Sequence, residues 1–505
     1  MTTPDFTRYV PPGVYVQDTT TPIVTTTGLP PSVVAVLGPA LGYQTATESV
    51  LVYANTGTVL ENKGIFTTAV TGPPAISAPV VKKLDGTLLT VNTDYTFVVD
   101  SSGPGGTAGA VTSIQRVTNS PNISDGDAVT VTYNYADTTY YTPQTHTDFD
   151  TIMSIYGLPM VTTAPTNPNA TQVASPLSMA AQMAIQNGTS TLITLALNPS
   201  DGDLRAQFQA AYAKIATSYS TTIIVPALPD DLTVSSGTVA TYTQLLAQDL
   251  NSHCTNSSNA GYTRIGFFGT PRNFSESDLT QQALAGAISS RRFILVYPHN
   301  LLIFNSATSQ ITTVGGSMLA AAVAGRLSSL PVNTGLTKQV ISGFQGIPTS
   351  VLQIMTKSYK DSLSSSGVCV AEINRLNQLL IRHGVTTDMS SLDKREISMI
   401  RIADTLFNLV QQGMEAAGLI GQPIDANMSM QVKGALSSIL EQAKATEVIV
   451  DYANLKVMQQ AAPSGDPTII NCKFSYQPAL PLNYITVQFQ VDLTTGVVSD
   501  TTTTT

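Results

Sequence analysis

SPLSMAAQMAIQNGTSTLITLALNPSDGDLRAQFQAAYAKIATSYSTTIIVPAL, residues 175–228, alternates between helical and strand patterns and decides the fold class. The stretches at 175–188 and 204–219 have helical spacing, and Gly188 is placed to end the first helix. TLITLAL and TTIIVPAL are short apolar runs, which are typical of strands buried on both faces. Since the alternation continues through RIGFFG and RFILVYP, residues 151–330 are predicted to form an α/β domain with a mostly parallel sheet.

The residues before this domain carry strand patterns. SVVAVLGPA at 32–40 is an apolar run ended by Gly38 and Pro39, so residues 32–54 are predicted to supply the first strand or strands of the core. From 55 to 150, segments such as DYTFVV and AVTVTYNYAD lie between Gly, Asp and Asn turns. This region is predicted to be a surface-exposed, all-β insertion domain, either a small sandwich or a barrel.

The residues after 330 predict a C-terminal α+β domain over 331–482. Helical spacing in DMSSLDKREISMIRIADTLFNLVQQGMEAAGLIG and in QVKGALSSILEQAKATEVIV predicts two long helices. NYITVQFQVDL at 483–493 alternates apolar and polar residues and is the cleanest period-two pattern in the chain. Residues 483–505 are therefore predicted to be a C-terminal strand and arm that a neighbouring subunit holds.

The N-terminal residues 1–31 do not fit a compact domain. Valines, isoleucine and threonines favour a strand, yet five prolines interrupt residues 9–32. Because proline cannot donate to a β ladder, such a segment lies only at a sheet edge or runs extended between anchors. We predict an extended N-terminal arm that pairs with another sheet.

Composition narrows the class of function. The 505 residues are 42% hydrophobic and only 11% charged, and the net charge of -9 disfavours nucleic-acid binding. The three cysteines, Cys254, Cys369 and Cys472, are widely spaced and are predicted to be reduced and mostly buried. MLAAAVAG at 318–325 is far shorter than the roughly 20 residues of a membrane span. Without a recognisable signal peptide, we expect a protein that is soluble and not conventionally exported.

Catalytic and metal-binding motifs are weak throughout the sequence. The four histidines show no H-E-x-x-H spacing, and Asp125 and Asp127 are better explained as turn residues than as calcium ligands. GGSML at 315–319 lacks the final glycine of a nucleophile elbow. The sequence therefore predicts no enzyme, metal or cofactor, although a Ser-His-Asp site assembled in space stays open as an alternative.

Acidic and basic residues alternate at the start of the first C-terminal helix. Lys394, Arg395 and Arg401 lie among Asp393, Glu396 and Asp404. Pairing between charges three and four residues apart favours an ordinary solvated face. The alternative is a charged surface that faces a partner.

Several segments together resemble the contractile tail sheath family. PPGVYVQDTTTPIVTTTGLPPSVVAVLGPA at 11–40 resembles its N-terminal signature, and PALPLNYITVQFQVDL at 478–493 is similar to its C-terminal strand. AIQNGTSTLITLAL, LAAAVAGRLSSLPVNTGLTKQVISGF and the β-rich insertion also match, in the family's order. One departure is Gly-Thr-Ser-Thr at 188–191, where a second glycine and an arginine near the strand end are commoner.

The resemblance implies a fold and a set of partners. The fold would be multidomain α/β and α+β, with a central subtilisin-like domain that lacks the protease site. Subunits would form a helical stack of rings, expected to be hexameric, around a tail tube protein, with baseplate and tail terminator or neck proteins at its ends. Contraction would drive the tube through the host envelope. Such a protein belongs to a phage virion and assembles in the host cytoplasm.

The resemblance also assigns residues to assembly. Both arms would add strands to sheets of neighbouring subunits. The intersubunit residues would be, in the N-terminal arm, Val10, Val14, Tyr15, Val16, Ile23 and Val24 and, in the C-terminal strand, Tyr484, Ile485, Val487, Phe489, Val491 and Leu493. The candidates for the tube-facing surface are Lys394, Arg395 and Arg401.

Two other classes of function stay open at this point. One is a degenerate or active subtilisin-like hydrolase, and the other is a β-rich surface adhesin. Within the sheath family, the sequence does not separate a phage sheath from the sheath of a phage-derived injection particle.

Overall fold

The computed structural model describes residues 32–40, 44–61, 65, 77–99, 111–135, 141–165, 167, 170–234, 237–461, 465–478, 480 and 483. Its strands are β1 Val33–Gly38, β2 Gln44–Val52, β3 Thr58–Val59, β4 Val80–Lys83, β5 Tyr95–Val99, β6 Val111–Arg116, β7 Asp127–Tyr135, β8 Gln144–His146, β9 Leu192–Ala196, β10 Thr221–Pro226, β11 Ile265–Gly269, β12 Phe293–Tyr297, β13 Asn300–Asn305, β14 Gln310–Gly315, β15 Val368–Ile373, β16 Leu379–Ile381, β17 Asp451–Gln459 and β18 Ile470–Gln477. Its helices are α1 Phe149–Tyr156, α2 Pro176–Gln186, α3 Leu204–Ile215, α4 Val239–Asn259, α5 Asp278–Ile288, α6 Gly316–Ser329, α7 Thr349–Ile354, α8 Lys357–Ser365, α9 Leu392–Arg395, α10 Ile397–Ala416 and α11 Met428–Ala445.

A large mixed sheet organises the molecule. Its eight strands lie in the order β16-β15-β12-β11-β10-β1-β9-β8. The six inner strands are parallel, while β8 and β16 run antiparallel at the two edges. Every residue of β9, β11 and β12 is buried, as expected for strands with helices on both faces. The predicted α/β sheet is therefore present, and TLITLAL and TTIIVPAL supply two of its inner strands.

Helix α6 lies in the centre of the core, and its sequence of small residues explains how closely it packs. All ten residues from Gly316 to Gly325 are buried. A Cβ atom added at Gly325 would lie 2.2 Å from the carbonyl oxygen of Ala184 in α2. The apolar run MLAAAVAG thus belongs to a core helix. None of the helices in the described residues combines the length and the apolar character needed to cross a membrane.

Two three-stranded sheets, β2-β7-β4 and β3-β6-β5, form between β1 and β8. They share the apolar cluster Val52, Leu60, Ile65, Val81, Leu89, Tyr95, Ile114, Ile123, Val129, Val131 and Tyr133. Of the residues 32–54, predicted to supply the first strand or strands of the core, β1 lies in the large sheet, whereas β2 pairs with β7 over its whole length. Its residues alternate between exposed and less exposed positions, which suits a sheet covered on one face only. Strand β8, expected in the insertion, pairs with β9 at the edge of the large sheet.

The C-terminal residues form two helices and a hairpin around a third apolar cluster. Helices α10 and α11 contribute most of its buried residues, including Leu406, Leu436 and Leu440. The first of the two predicted helices is divided at Glu396 into α9 and α10. The second ends at Ala445, and Val448 and Ile449 reach the cluster from the turn that follows.

Candidate assembly surface

Most of the residues assigned to assembly lie outside the described part of the chain. These are the arm residues Val10, Val14, Tyr15, Val16, Ile23 and Val24 and the strand residues Tyr484, Ile485, Val487, Phe489, Val491 and Leu493. Ser32 is the described residue nearest to the N-terminal arm, and Asn483 is the first residue of the predicted C-terminal strand and arm. The surface that would receive such arms can therefore be sought in the described residues, while the arms themselves stay a prediction.

The hairpin of β17 and β18 offers a surface of this kind. Within the described residues, the two strands pair only with each other, so each has one outer edge without a strand partner. A row of unpaired N–H and C=O groups is a template for pairing with another chain. Tyr452, Leu455, Phe474 and Tyr476 pack against the cluster formed with α10 and α11. The hairpin is thus anchored on one side, and among the described strands both of its edges are open.

Two lysines lie directly opposite each other on this hairpin. Lys456 of β17 is the register partner of Lys473 of β18, and both side chains are exposed. In the part of the chain that the structure describes, neither forms a salt bridge with a carboxylate. Like charges directly opposite each other on neighbouring strands are destabilising. This surface therefore carries positive charge that an acidic group on a partner would stabilise.

The three cysteines fall into two environments. Cys254 and Cys369 are fully buried, and burial raises the pKa of each thiol to about 12. Cys472 is exposed on β18, opposite Val457. Two of the three thiols are buried, as predicted, and within the described residues none of the three forms a disulfide. The exposed third thiol lies on the hairpin, so its rate of chemical labelling measures how accessible the hairpin surface is.

The three candidates for the tube-facing surface differ in exposure. The Lys394 side chain is 44% exposed, with its Nζ 3.9 Å from Asp388, and the Arg395 side chain is 34% exposed. Arg401 is buried, and its guanidinium donates to the carbonyl oxygens of Leu330 at 3.0 Å and Pro331 at 3.2 Å. Burial lowers the pKa of Arg401 to about 10. A tube contact stays a proposal for Lys394 and Arg395, and Arg401 is occupied inside the subunit.

The hydrolase alternative can be examined at the start of α6, where the nearest match to a nucleophile motif lies. Ser317 is buried, and its hydroxyl donates to the carbonyl oxygen of Leu228 at 3.2 Å. The ring nitrogens of the buried His299 contact the Gln281 side chain at 3.2 Å and the Phe274 carbonyl at 3.0 Å. A nucleophile needs a base within hydrogen-bonding reach, and this pair does not supply one.

Other features of a small-molecule site are also weak. Two cavities in the described residues have volumes of about 210 and 300 Å³ and are lined largely by polar side chains, among them Arg292 and Arg326. Ligand sites are usually about 300–1,000 Å³ and mostly apolar. Within the described residues, no group of three or more His, Cys, Asp or Glu side chains is placed to hold a metal ion.

Comparison with known proteins decides between these alternatives. No family model matches the chain. Its sequence is 28% identical to the tail sheath protein of Mycobacterium phage Bxz1, over 98% of this chain and 98% of that protein. The chain is a homologue of phage tail sheath proteins. This match confirms the resemblance found in the sequence. The chain, called the sheath homologue below, is a structural protein rather than an enzyme.

Solved structures extend the likeness to the fold. The helical sheath of the anti-feeding prophage in its contracted state has a TM-score of 0.54 and 12% identity, over 96% of this chain and 100% of that chain. A baseplate structure of the same prophage, 6-fold symmetrised, gives the same values. The sheath homologue therefore shares the fold of these proteins along nearly its whole length. The hydrolase and adhesin alternatives are not favoured.

Proposed function

We propose that this chain is the repeating subunit of a contractile tail sheath, which polymerises around a tail tube and contracts to drive the tube through the host envelope. The observation that carries the proposal is the 28% identity to a tail sheath protein over 98% of both chains. The fold shared with a contracted helical sheath supports it. Hexameric rings, a tail tube, a baseplate and a tail terminator or neck protein are the partners that this function requires. Assembly would take place in the host cytoplasm.

The proposal includes a finer description of the chain. Residues 151–330, which supply strands β9 to β12 of the large sheet, are proposed to form a subtilisin-like domain without a protease site, to which β1, β8, β15 and β16 add strands from outside that range. Residues 55–150, apart from β8, are proposed to be the insertion domain, and residues 331–482, apart from β15 and β16, the C-terminal domain between the two arms. The parallel inner strands of the large sheet support the first of these assignments. The separate apolar cluster of the small sheets supports the second.

The arms of neighbouring copies are proposed to add strands to the outer edges of the β17–β18 hairpin. Backbone hydrogen bonds would give affinity, and alternating side chains would set the register. NYITVQFQVDL has the apolar alternation that fits a hairpin anchored on one face by Tyr452, Leu455, Phe474 and Tyr476. Because one surface meets a different surface on the next copy, the contact is head-to-tail and generates rings or filaments.

The exposed lysines of the hairpin provide a test in which stability and assembly change in opposite directions. Lys473→Glu places a carboxylate opposite Lys456, so we expect the monomer to gain about 0.2–1 kcal/mol of stability. The same change replaces a positive charge on the surface proposed to receive the arms by a negative one, which would no longer attract Asp492 of NYITVQFQVDL, so polymerisation should weaken. Urea unfolding of the monomer and pelleting of the polymer measure the two effects.

The control for this substitution is Lys433→Glu, which makes the same charge change on an exposed position of α11. It should leave polymerisation close to that of the intact chain. Equal loss of polymer with both substitutions would indicate a general charge effect, and the hairpin would lose its assigned role.

Cys472 provides a second test of the same surface. In the monomer, a thiol reagent at pH 8 should modify the exposed Cys472 first, although partial burial raises the pKa of its thiol, and should leave the buried Cys254 and Cys369 unmodified until the chain is denatured. In the polymer, added strands should protect Cys472 as well. Mass spectrometry after timed labelling measures each site. Labelling of Cys472 at the same rate in monomer and polymer would exclude the hairpin from the subunit contacts.

The function itself is tested by sedimentation of the purified chain at rising concentration, alone and with the tail tube protein. A sheath subunit should form large particles above a critical concentration, and the tube protein should lower that concentration. A chain that stays monomeric in both conditions would contradict the proposed function.

A further inference from the structure

Ser32, the described residue nearest to the N-terminal arm, and Asn483, the first residue of the predicted C-terminal strand and arm, are both bonded to the beginning of helix α10. Ser32 is the last residue before β1, and its hydroxyl accepts a hydrogen bond from Arg401 Nη2 at 3.4 Å. Asn483 is the last described residue of the chain, and its Nδ2 donates to Glu396 Oε1 at 3.2 Å. Glu396 immediately precedes α10, and Arg401 is the fifth residue of that helix. At 1.5 Å per residue, the two side chains are separated by about 7.5 Å along the helix axis.

Hydrogen bonds from Arg401 also connect the beginning of α10 to the residues that follow the core helix α6. Its guanidinium donates to the carbonyl oxygens of Leu330 and Pro331, which follow the end of α6. No carboxylate forms a salt bridge with Arg401 in the part of the chain described here. A buried charge is costly without hydrogen bonds, and the carbonyl oxygens supply them to Nη1 and Nη2, while Nε has no partner within the described residues. Arg401 is therefore held in one position, which fixes the donor that reaches Ser32.

Glu396 holds the other contact in a similar way. Its side chain is only 2% exposed, and His383 Nε2 lies 2.7 Å from the same oxygen, Oε1, that accepts from Asn483. The Oδ1 of Asn483 accepts from Thr337 Oγ1 at 3.2 Å. Both ends of the Asn483 amide are therefore engaged with the subunit body. These two bonds hold the Asn483 side chain against the subunit body.

We infer that Glu396 and Arg401 form a single clamp that fixes where both arms leave the subunit. The inference rests on the proposed function of the arms, and it makes these two side chains positioning residues for assembly. Tension from neighbours on either arm then reaches the same helix and passes through Leu330 and Pro331 to α6. Ser32 and Asn483 are the two arm roots, the points where the arms leave the subunit. When a subunit rotates, the two arm roots move together, so the distance between its two arm contacts with neighbouring subunits stays the same.

The clamp is tested by exchanging the carboxylate of Glu396 and the amide of Asn483 at the start of the C-terminal arm. Asn483→Asp places a carboxylate against the buried Glu396, and repulsion should release the arm root. The double variant Glu396→Gln with Asn483→Asp restores an amide–carboxylate pair with the two groups exchanged. We expect the single variant to raise the critical concentration for polymerisation at least about fivefold, the change expected for one net hydrogen bond. The double variant should restore most of that loss.

Protease sensitivity gives a second readout. In the monomer, a protease should cleave the single variant after residue 483 faster than it cleaves the intact chain. The cleavage rate of the double variant should return toward that of the intact chain. Ser32→Ala should produce the corresponding increase before residue 32. Asn427→Ala is the matched control, because this exposed asparagine makes no side-chain capping bond at the start of α11. Its assembly and cleavage should not change.

Two results would overturn the clamp. One is an Asn483→Asp variant with the assembly and cleavage of the intact chain, and the other is a double variant no better than the single one. Either result would leave the proposed function intact provided that the unmodified chain polymerises. Failure of the unmodified chain with tube protein present contradicts the proposed function instead.

Discussion

A chain that begins at residue 25 is expected to fold as a soluble monomer and to lose helical polymerisation. In the described residues, the core of the large sheet begins with Val34 of β1, so the deletion removes none of that core. It removes the proposed tether to the next subunit. We expect the critical concentration to rise at least roughly a hundredfold, which corresponds to about 2.8 kcal/mol at 1.4 kcal/mol per tenfold change. Sedimentation measures the critical concentration, and circular dichroism checks the fold.

The control replaces residues 1–24 with a Gly/Ser sequence of the same length. It retains the reach of the arm but removes Val10, Val14, Val16, Ile23 and Val24. We expect this variant to fail as the deletion does, because the arm acts through its strand-forming residues. Polymerisation of the deleted chain as efficient as that of the intact chain would show that the N-terminal arm is not a tether.

Gly325→Ala is expected to destabilise the fold severely, although alanine is the better helix former. In a helix interior, alanine is favoured over glycine by about 0.5–1 kcal/mol. At this position the new Cβ would lie 2.2 Å from the carbonyl oxygen and 2.7 Å from the Cα of Ala184. Those backbone atoms belong to α2 and move only if the helix pair separates. Overpacking of this kind costs about 1–3 kcal/mol or more, so the clash outweighs the helix preference.

Gly286→Ala makes the same chemical change in α5 with the opposite expected sign. No atom lies within 4 Å of a Cβ placed at Gly286, and the position is exposed. We expect a gain of about 0.5–1 kcal/mol from the reduced freedom of the unfolded chain. Urea unfolding of the two variants measures the contrast. Equal stability of both variants would contradict the close packing of α6 against α2.

The large sheet was predictable because its strands are short apolar runs bounded by recognisable helices. TLITLAL and TTIIVPAL became β9 and β10, and SVVAVLGPA became β1 between them in the sheet. The placement of β2 was not predictable in the same way. Its nine residues follow β1 closely in the chain, but pairing with β7 depends on a partner more than 70 residues away.

The assembly surface was only partly predictable. The β17–β18 hairpin was not singled out in the sequence, because a bulge between Ala453 and Lys456 interrupts the alternation of β17. Arg401 was expected on a surface because it lies among charged residues at helical spacing. Its burial depends on Leu330 and Pro331, 71 and 70 residues earlier in the chain, and helical periodicity does not report such contacts.

The most direct test of the account is cryo-electron microscopy of the polymer that the purified chain forms, with tail tube protein added if the chain alone stays monomeric. We expect a hollow helical polymer in which the chain before Ser32 and after Asn483 crosses into neighbouring subunits. There it should add strands to the edges of the β17–β18 hairpin. A polymer whose two terminal segments fold back onto their own subunit, or a monomer that persists with tube protein, would contradict the account.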